Sequence, residues 1–260
     1  MHFTLHLTTQ CNMRCDYCYS PQRNSLDMTE EIVYKTIDFS TSFNPINTGI
    51  IFFGGEPLLK KELIKKTIIY CKEKEKKYAF PYHYKVTTNG LLLDEEFLEY
   101  ANSIGLMIGM SVDGVEKAHN NHRITKDGKG TFSIVDEKID LLLKYQPYAK
   151  ALMTLTPENV RYYHDSVSYI FNKGFKYLIV SLNYAGYWTD EHIDELVSQY
   201  KKLSKLYKKM ILEEKKFYFS PFEVKLSSHI KGKDALCEKC ALGMRQISVA
   251  PDGSLYPCTQ

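Results

Sequence analysis

The chain has 260 residues, 44% hydrophobic and 25% charged, with 34 basic against 31 acidic residues and a formal charge of +3. This composition excludes a disordered class, and the balanced charge makes no case for nucleic acid, because the lysines of 72–77 alternate with Glu73 and Glu75 as on a solvated helix face. No apolar run is long enough to span a bilayer, and the opening residues alternate like a strand rather than a signal peptide, so a cytoplasmic, reducing location is expected in which clustered cysteines are metal ligands before cystines.

In chain order, a strand is expected over 3–8, followed by a loop that carries Cys11-Asn-Met-Arg-Cys15-Asp-Tyr-Cys18. Helical spacing covers 29–43; a strand over 50–53 then leads into Gly54-Gly55-Glu56-Pro57, and a second helix covers 61–77. A strand over 83–88 ends at Thr88-Asn89-Gly90, a helix over 94–104 opens on an Asp94 cap, and a strand over 107–112 runs into Ser111-Val112-Asp113-Gly114. A helix over 132–145, a strand over 150–155, a helix over 160–173 stopped by Gly174, a strand over 177–182 ending at Asn183 and a helix over 189–216 capped by Thr189 complete six βα pairs. Such repetition builds a parallel sheet, open or curled into a barrel, with ligand groups gathered at the carboxyl ends of the strands. The polar motifs all fall there. Three segments are expected: a barrel over 1–216, a linker over 217–236 and a small cysteine-bearing hairpin module over 237–260, read as the truncated start of a longer one.

The cysteine run carries the most chemistry. A structural zinc site needs four ligands and an electron-transfer [4Fe-4S] cluster normally takes four thiolates, so three cysteines leave one iron open to a substrate. A zinc site completed by Cys237, Cys240 or Cys258 remains open on spacing alone, whereas an odd count of seven cysteines speaks against a disulfide framework. Gly54 and Gly55 lack Cβ atoms and let backbone approach a ligand, and Pro57 fixes the exit of their loop. Arg123, in His119-x3-Arg123, offers a fork suited to a carboxylate, with a surface charge as the alternative. Turn chemistry accounts equally well for Asn89 and Asp113. His119 and His122 flank the arginine, and Cys71, at helical spacing from Ile64 and Ile68, reads as core.

The cysteine run after one strand and Gly54-Gly55-Glu56-Pro57 after the next resemble the radical S-adenosylmethionine (radical SAM) enzymes, over about residues 3–216. The resemblance implies an α/β fold, a partial (β/α)6 TIM barrel, with a [4Fe-4S] cluster on Cys11, Cys15 and Cys18 whose open iron is chelated by S-adenosylmethionine (SAM). It also implies that Gly54, Gly55 and Glu56 accept from the SAM ammonium and that Ser111 and Arg123 bind its carboxylate. Tyr17 meets the adenine through its backbone, and Asn89 and Asp113 serve the ribose or the barrel mouth. The implied chemistry is reductive cleavage of SAM to a 5′-deoxyadenosyl radical that takes a hydrogen atom from substrate, fed by an electron donor such as flavodoxin or ferredoxin. Cys237-x2-Cys240 and Gly253-x4-Cys258 are similar to the start of a SPASM or twitch module, which holds auxiliary [4Fe-4S] clusters, with a zinc knuckle as the alternative. Members with this tail and a His-x3-Arg segment modify peptides or proteins. The expectation is therefore a maturase that crosslinks a ribosomally made peptide, without nucleic-acid or membrane partners. One alternative is an anaerobic sulfatase-maturing enzyme that forms formylglycine, and an alternative of another class is a noncatalytic iron–sulfur or zinc scaffold.

Overall fold

The computed structural model describes residues 1–20, 25–43, 48–78, 80–232 and 243–259; the expected ligands Cys237 and Cys240 lie outside them. Its contacts separate two compact units, one of Met1–Asn12, Cys18–Gly109 and Glu238–Gln260, the other of Met13–Tyr17 and Met110–Cys237.

In the first unit, strands β1 (His2–His6), β2 (Thr48–Phe53) and β3 (Tyr82–Thr88) pair in parallel in the order 3-2-1, and β4 (Met107–Ser111) begins beside β3. Helices α1 (Glu30–Thr41), α2 (Lys61–Tyr78) and α3 (Glu95–Ile104) connect them. Alternation sets the two faces of the strands: Phe3, Leu5, Ile50, Phe52 and Val86 are fully buried, and the Phe3 ring meets Phe39 of α1 edge-on at 6.2 Å. α1 buries Val33, Thr36, Ile37 and Ser40, one stripe at helical spacing, and its start is capped by the Thr29 side chain. Asp94 caps α3 as expected, and Gly105 ends that helix at φ 72°.

In the second unit, α4 (Glu116–Asn120) and α5 (Phe132–Tyr145) precede β5 (Lys150–Leu155), and α6 (Tyr163–Lys173) leads to β6 (Tyr177–Leu182). Helix α7 (Asp190–Leu212), strand β7 (Tyr218–Phe219) and α8 (Ser220–Lys231) follow. β5, β6 and β7 pair in parallel, and Val112 N–H, just after β4, donates to Leu152 O of β5 at 2.9 Å. Thr189 and His192 cap α7 reciprocally. That helix stops at Leu212 rather than running to 216 because Glu214 takes φ 55° and Lys215 N–H turns back onto Met210 O.

Two further differences from the sequence reading have physical reasons. The stretch expected as a linker carries β7 and α8, held by an aromatic cluster in which Phe219 and Phe222 stack at 5.3 Å and Phe171 meets Phe217 at 5.5 Å. The expected hairpin forms, as β8 (Gln246–Val249) and β9 (Leu255–Tyr256) around Gly253 at φ 87°, but β8 also pairs in parallel with β1, which makes it part of the first unit's sheet. No helix among the described residues is long and apolar enough to cross a membrane.

Candidate active site

The first unit brings together the root of the cysteine loop and the ends of β2 and β3. After β1 the chain bridges to residues 26–28, with Thr8 Oγ1 donating to Asp27 at 2.6 Å and Thr9 N–H to Leu26 O at 2.9 Å. The loop after β2 then docks on the same stretch: Gly55 N–H donates to Thr8 O and Glu56 N–H to Gln10 O, both at 2.8 Å. A Cβ on Gly54, at φ +131°, would lie 2.5 Å from Thr8 O, and one on Gly55 would lie 2.1 Å from Gln10 O. Close approach to this backbone is what requires glycine at both positions. The loop is thereby stitched to the residues immediately before Cys11.

Glu56, expected from sequence as a partner of the SAM ammonium, ends the loop with a buried carboxylate that already meets three protein donors. It is 1% exposed and accepts from Leu58 N–H at 2.9 Å, Thr88 Oγ1 at 2.7 Å and Asn89 N–H at 2.8 Å. Burial pushes its pKa up to about 7 in spite of these three donors, because none carries a charge. Asn89, placed by that bond, donates from Nδ2 to Asn12 Oδ1 at 2.8 Å and to Cys11 Sγ at 3.7 Å. Asn12 is a partner that the sequence reading missed.

The second unit holds the middle of the cysteine loop. Arg14 N–H donates to Ile124 O at 2.8 Å, Met13 bridges antiparallel to Thr125, and Asp16 Oδ1 accepts from His122 Nδ1 at 2.8 Å. His122 is buried, with Thr156 Oγ1 on its other nitrogen at 2.7 Å. Tyr17 donates its hydroxyl to Asp113 Oδ2 at 2.6 Å, and the Arg123 guanidinium lies over the Tyr17 ring, 5.5 Å from its centroid.

Arg123 also meets Asp113 directly, Nε to Oδ2 at 2.9 Å and Nη2 to Oδ1 at 3.2 Å, and Thr154 N–H completes the Asp113 shell at 3.0 Å. Burial alone would raise the Asp113 pKa, but the guanidinium outweighs it and holds the carboxyl below its ordinary value. Asp113, read as a ribose or turn residue, is thus a buried junction of Tyr17, Arg123 and β5. His119 is fully buried and serves the same framework. Thr131 Oγ1 donates to Arg123 O at 2.7 Å and so accepts from His119 Nε2, which leaves Nδ1 to accept from Asp113 N–H at 3.4 Å. Burial lowers its pKa to about 4, in keeping with this neutral tautomer. Ser111 closes β4, half-buried.

Cys11, Cys15 and Cys258 are half-buried, Cys18 is exposed and Cys71 buried, and none of these five is in a disulfide. Among the described residues no three His, Cys, Asp or Glu side chains converge on a single-ion site. A cubane does not need that convergence, since each of its thiolates binds a different iron. Three accessible thiols on one loop, with an amide N–H directed at one of them, fit a cluster better than a tetrahedral zinc ion. Tyr19, on the same unit, feels both Cys18 and Cys258: after burial, their negative charge is what raises its phenol.

A sequence profile described as the Radical SAM superfamily matches residues 5–170. The chain is 26% identical over 262 residues to a cysteine-type anaerobic sulfatase-maturating enzyme of Clostridium perfringens, covering 95% of this chain and 71% of that one. It is 26% identical over 274 residues to the antilisterial bacteriocin subtilosin biosynthesis protein AlbA of Bacillus subtilis, covering 99% of this chain and 54% of that one. The chain therefore spans only part of each relative. Among solved structures, native anSMEcpe with bound AdoMet and Kp18Cys peptide superposes with a TM-score of 0.85 at 22% identity, covering 100% of this chain and 75% of that one. That likeness is one of fold, and it makes the architecture the partial (β/α)6 barrel that the βα succession implies.

Proposed function

The chain belongs to the radical SAM superfamily, and from that premise we propose that it uses a [4Fe-4S] cluster and SAM to modify a peptide or protein by radical chemistry. When bound, the cluster and SAM supply an electron and a carbon-centred radical able to take a hydrogen atom from an unactivated position. The observation that carries the reading is the stitching of Gly54-Gly55-Glu56 onto Thr8–Gln10, directly before Cys11, with Asn89 donating to the Cys11 sulfur.

In this proposal Cys11, Cys15 and Cys18 hold the cluster. Gly54 and Gly55 present the backbone that meets SAM, and the buried Glu56 fixes that backbone against the end of β3. Ser111 and Arg123 are the proposed contacts to the SAM carboxylate, with Asp113 gripping one edge of the guanidinium. Asn89 sets the Cys11 side of the loop and Tyr17 the Cys18 side. Cys258, beside Tyr19, together with Cys237 and Cys240, is proposed to serve an auxiliary cluster. A cytoplasmic location and a flavodoxin or ferredoxin as electron donor are proposed with this chemistry.

The substrate is proposed to be a ribosomally made peptide that receives a crosslink, and a peptide substrate is supported by the likeness to a bacteriocin biosynthesis protein over 99% of this chain. Formylglycine formation on a sulfatase is the second reading, favoured by the Clostridium enzyme at 95% coverage. Anaerobic reconstitution with iron and sulfide, followed by dithionite and SAM, tests the core of the proposal. The wild type is expected to release 5′-deoxyadenosine and a Cys11/Cys15/Cys18 triple alanine variant none. Equal release by both would overturn the cluster assignment. Incubation with candidate precursor peptides or a sulfatase peptide, read by mass, then separates the two substrates.

A further inference from the structure

We infer that Asp113 and Tyr17 are positioning residues for the cluster-binding loop. The inference rests on the cluster assignment above but concerns residues whose arrangement is independent of any bound group. Asp113 accepts four hydrogen bonds inside one unit: from the Tyr17 hydroxyl, from Arg123 Nε and Nη2, and from Thr154 N–H. Its two oxygens are saturated and its side chain is fully buried, so it has nothing left to offer a ligand. A carboxylate so placed acts by fixing its neighbours.

Those neighbours lie on both sides of Cys15. On one side Tyr17, one bond from Cys18, is held through its hydroxyl by Asp113 and through its ring by Arg123. On the other, Met13 and Arg14 bind the backbone of Ile124 and Thr125, the residues that follow Arg123 in the chain. Asp16, in between, is held by His122. The segment 13–17 thus has no regular secondary structure of its own, and a single short stretch, 122–125, together with Asp113, dictates its course. The same Asp113 oxygen, Oδ2, receives both the Tyr17 hydroxyl and Arg123 Nε. One atom therefore ties the Tyr17 end of the cysteine loop to the guanidinium. Three thiolates can grip a cube only if their separations are held, and an irregular loop holds them only through such outside contacts.

Tyr17→Phe is the decisive variant, because it removes the hydroxyl and keeps the ring under Arg123. Two readouts are needed. In the apo protein, hydrogen exchange of the Arg14 amide, which donates to Ile124 O, should rise about tenfold while the global unfolding midpoint stays at the wild-type value. In the reconstituted protein, iron release to a chelator should accelerate by about tenfold, with an altered EPR spectrum of the reduced cluster. Asp113→Asn, which sets a donor against donors, should move both readouts further in the same direction. Wild-type exchange together with wild-type iron release in Tyr17→Phe would overturn the inference, as would faster exchange spread evenly over the whole chain. Failure of the wild type to take up a cluster would instead overturn the proposed function, and the exchange measurement on apo protein would still decide whether Tyr17 and Asp113 hold the loop.

Discussion

Two buried carboxylates sit at strand ends in this protein, Glu56 after β2 and Asp113 after β4, and each fixes one portion of the cysteine loop or its root. Both are within 1% of full burial and both accept several hydrogen bonds. They differ in their direct partners: Asp113 is hydrogen-bonded to a guanidinium, whereas Glu56 is hydrogen-bonded only to amide and hydroxyl dipoles, with the Lys61 charge a lesser influence. Asp113 is accordingly held charged, below its ordinary pKa, and Glu56 is raised to about 7. Dipoles satisfy the geometry of a buried carboxylate without offsetting the cost of removing its charge from water. The loop's middle is thus held by a permanent ion pair and its root by a group that titrates.

The ion pair yields the largest expected effect. Arg123→Ala leaves Asp113 buried without a cation and should cost about 3–5 kcal/mol of stability, read from urea unfolding. Arg123→Lys should recover only part of this, since a point charge cannot make two parallel bonds to Oδ1 and Oδ2 while covering the Tyr17 ring. A loss under about 1 kcal/mol in Arg123→Ala would erase the contrast between the two carboxylates.

Glu56 sharpens the contrast through pH. Its native pKa, about 7, lies above the ordinary 4.5, so on raising pH the unfolded chain gives up its proton first. Stability contributed by the protonated form is present below about 4.5 and lost as pH rises to about 7, a slope worth on the order of 3 kcal/mol. Glu56→Gln should flatten that slope between pH 5 and 7.5, and an unchanged slope would mean that Glu56 is ionised throughout. Asp113 has the opposite sign: its contribution is present above the ordinary carboxyl value and fades as pH falls through the depressed native one.

Most of the framework was legible in the sequence because strand and helix periods, Asp94 and Thr189 caps and the Gly174 stop are local signals; helix 132–145 and strands 150–155 and 177–182 match residue for residue. What escaped was set by distant partners. Strand β7 is two residues long and exists because Tyr177 and Leu178 pair with it, and β8 was legible as half of a hairpin but not as a parallel neighbour of β1. At the site, the cysteines and Gly54-Gly55 announced themselves by spacing. The destinations of Glu56 and Asp113 did not, since nothing in Gly-Gly-Glu-Pro or Ser-Val-Asp-Gly says which backbone amides will face the carboxylate. Asp16, Asn12 and Thr154 were missed for the same reason, although Asp16 lies inside the cysteine run.

Asn89 provides the smallest and most local test. Its backbone is tied to Glu56 and its side-chain amide reaches Cys11 Sγ at 3.7 Å, so it links the titrating carboxylate to one of the proposed cluster ligands. A hydrogen bond to a ligand sulfur withdraws charge and favours the reduced state of an iron–sulfur cluster. Asn89→Ala should therefore shift the cluster's potential to a more negative value with iron content close to wild type, in a potentiometric titration followed by EPR. Tyr17→Phe, acting on the other portion of the loop, should change iron release far more than potential. If the two variants gave the same pattern, the cysteine loop would respond as one piece, and the division of labour between the Glu56 and Asp113 ends would be wrong.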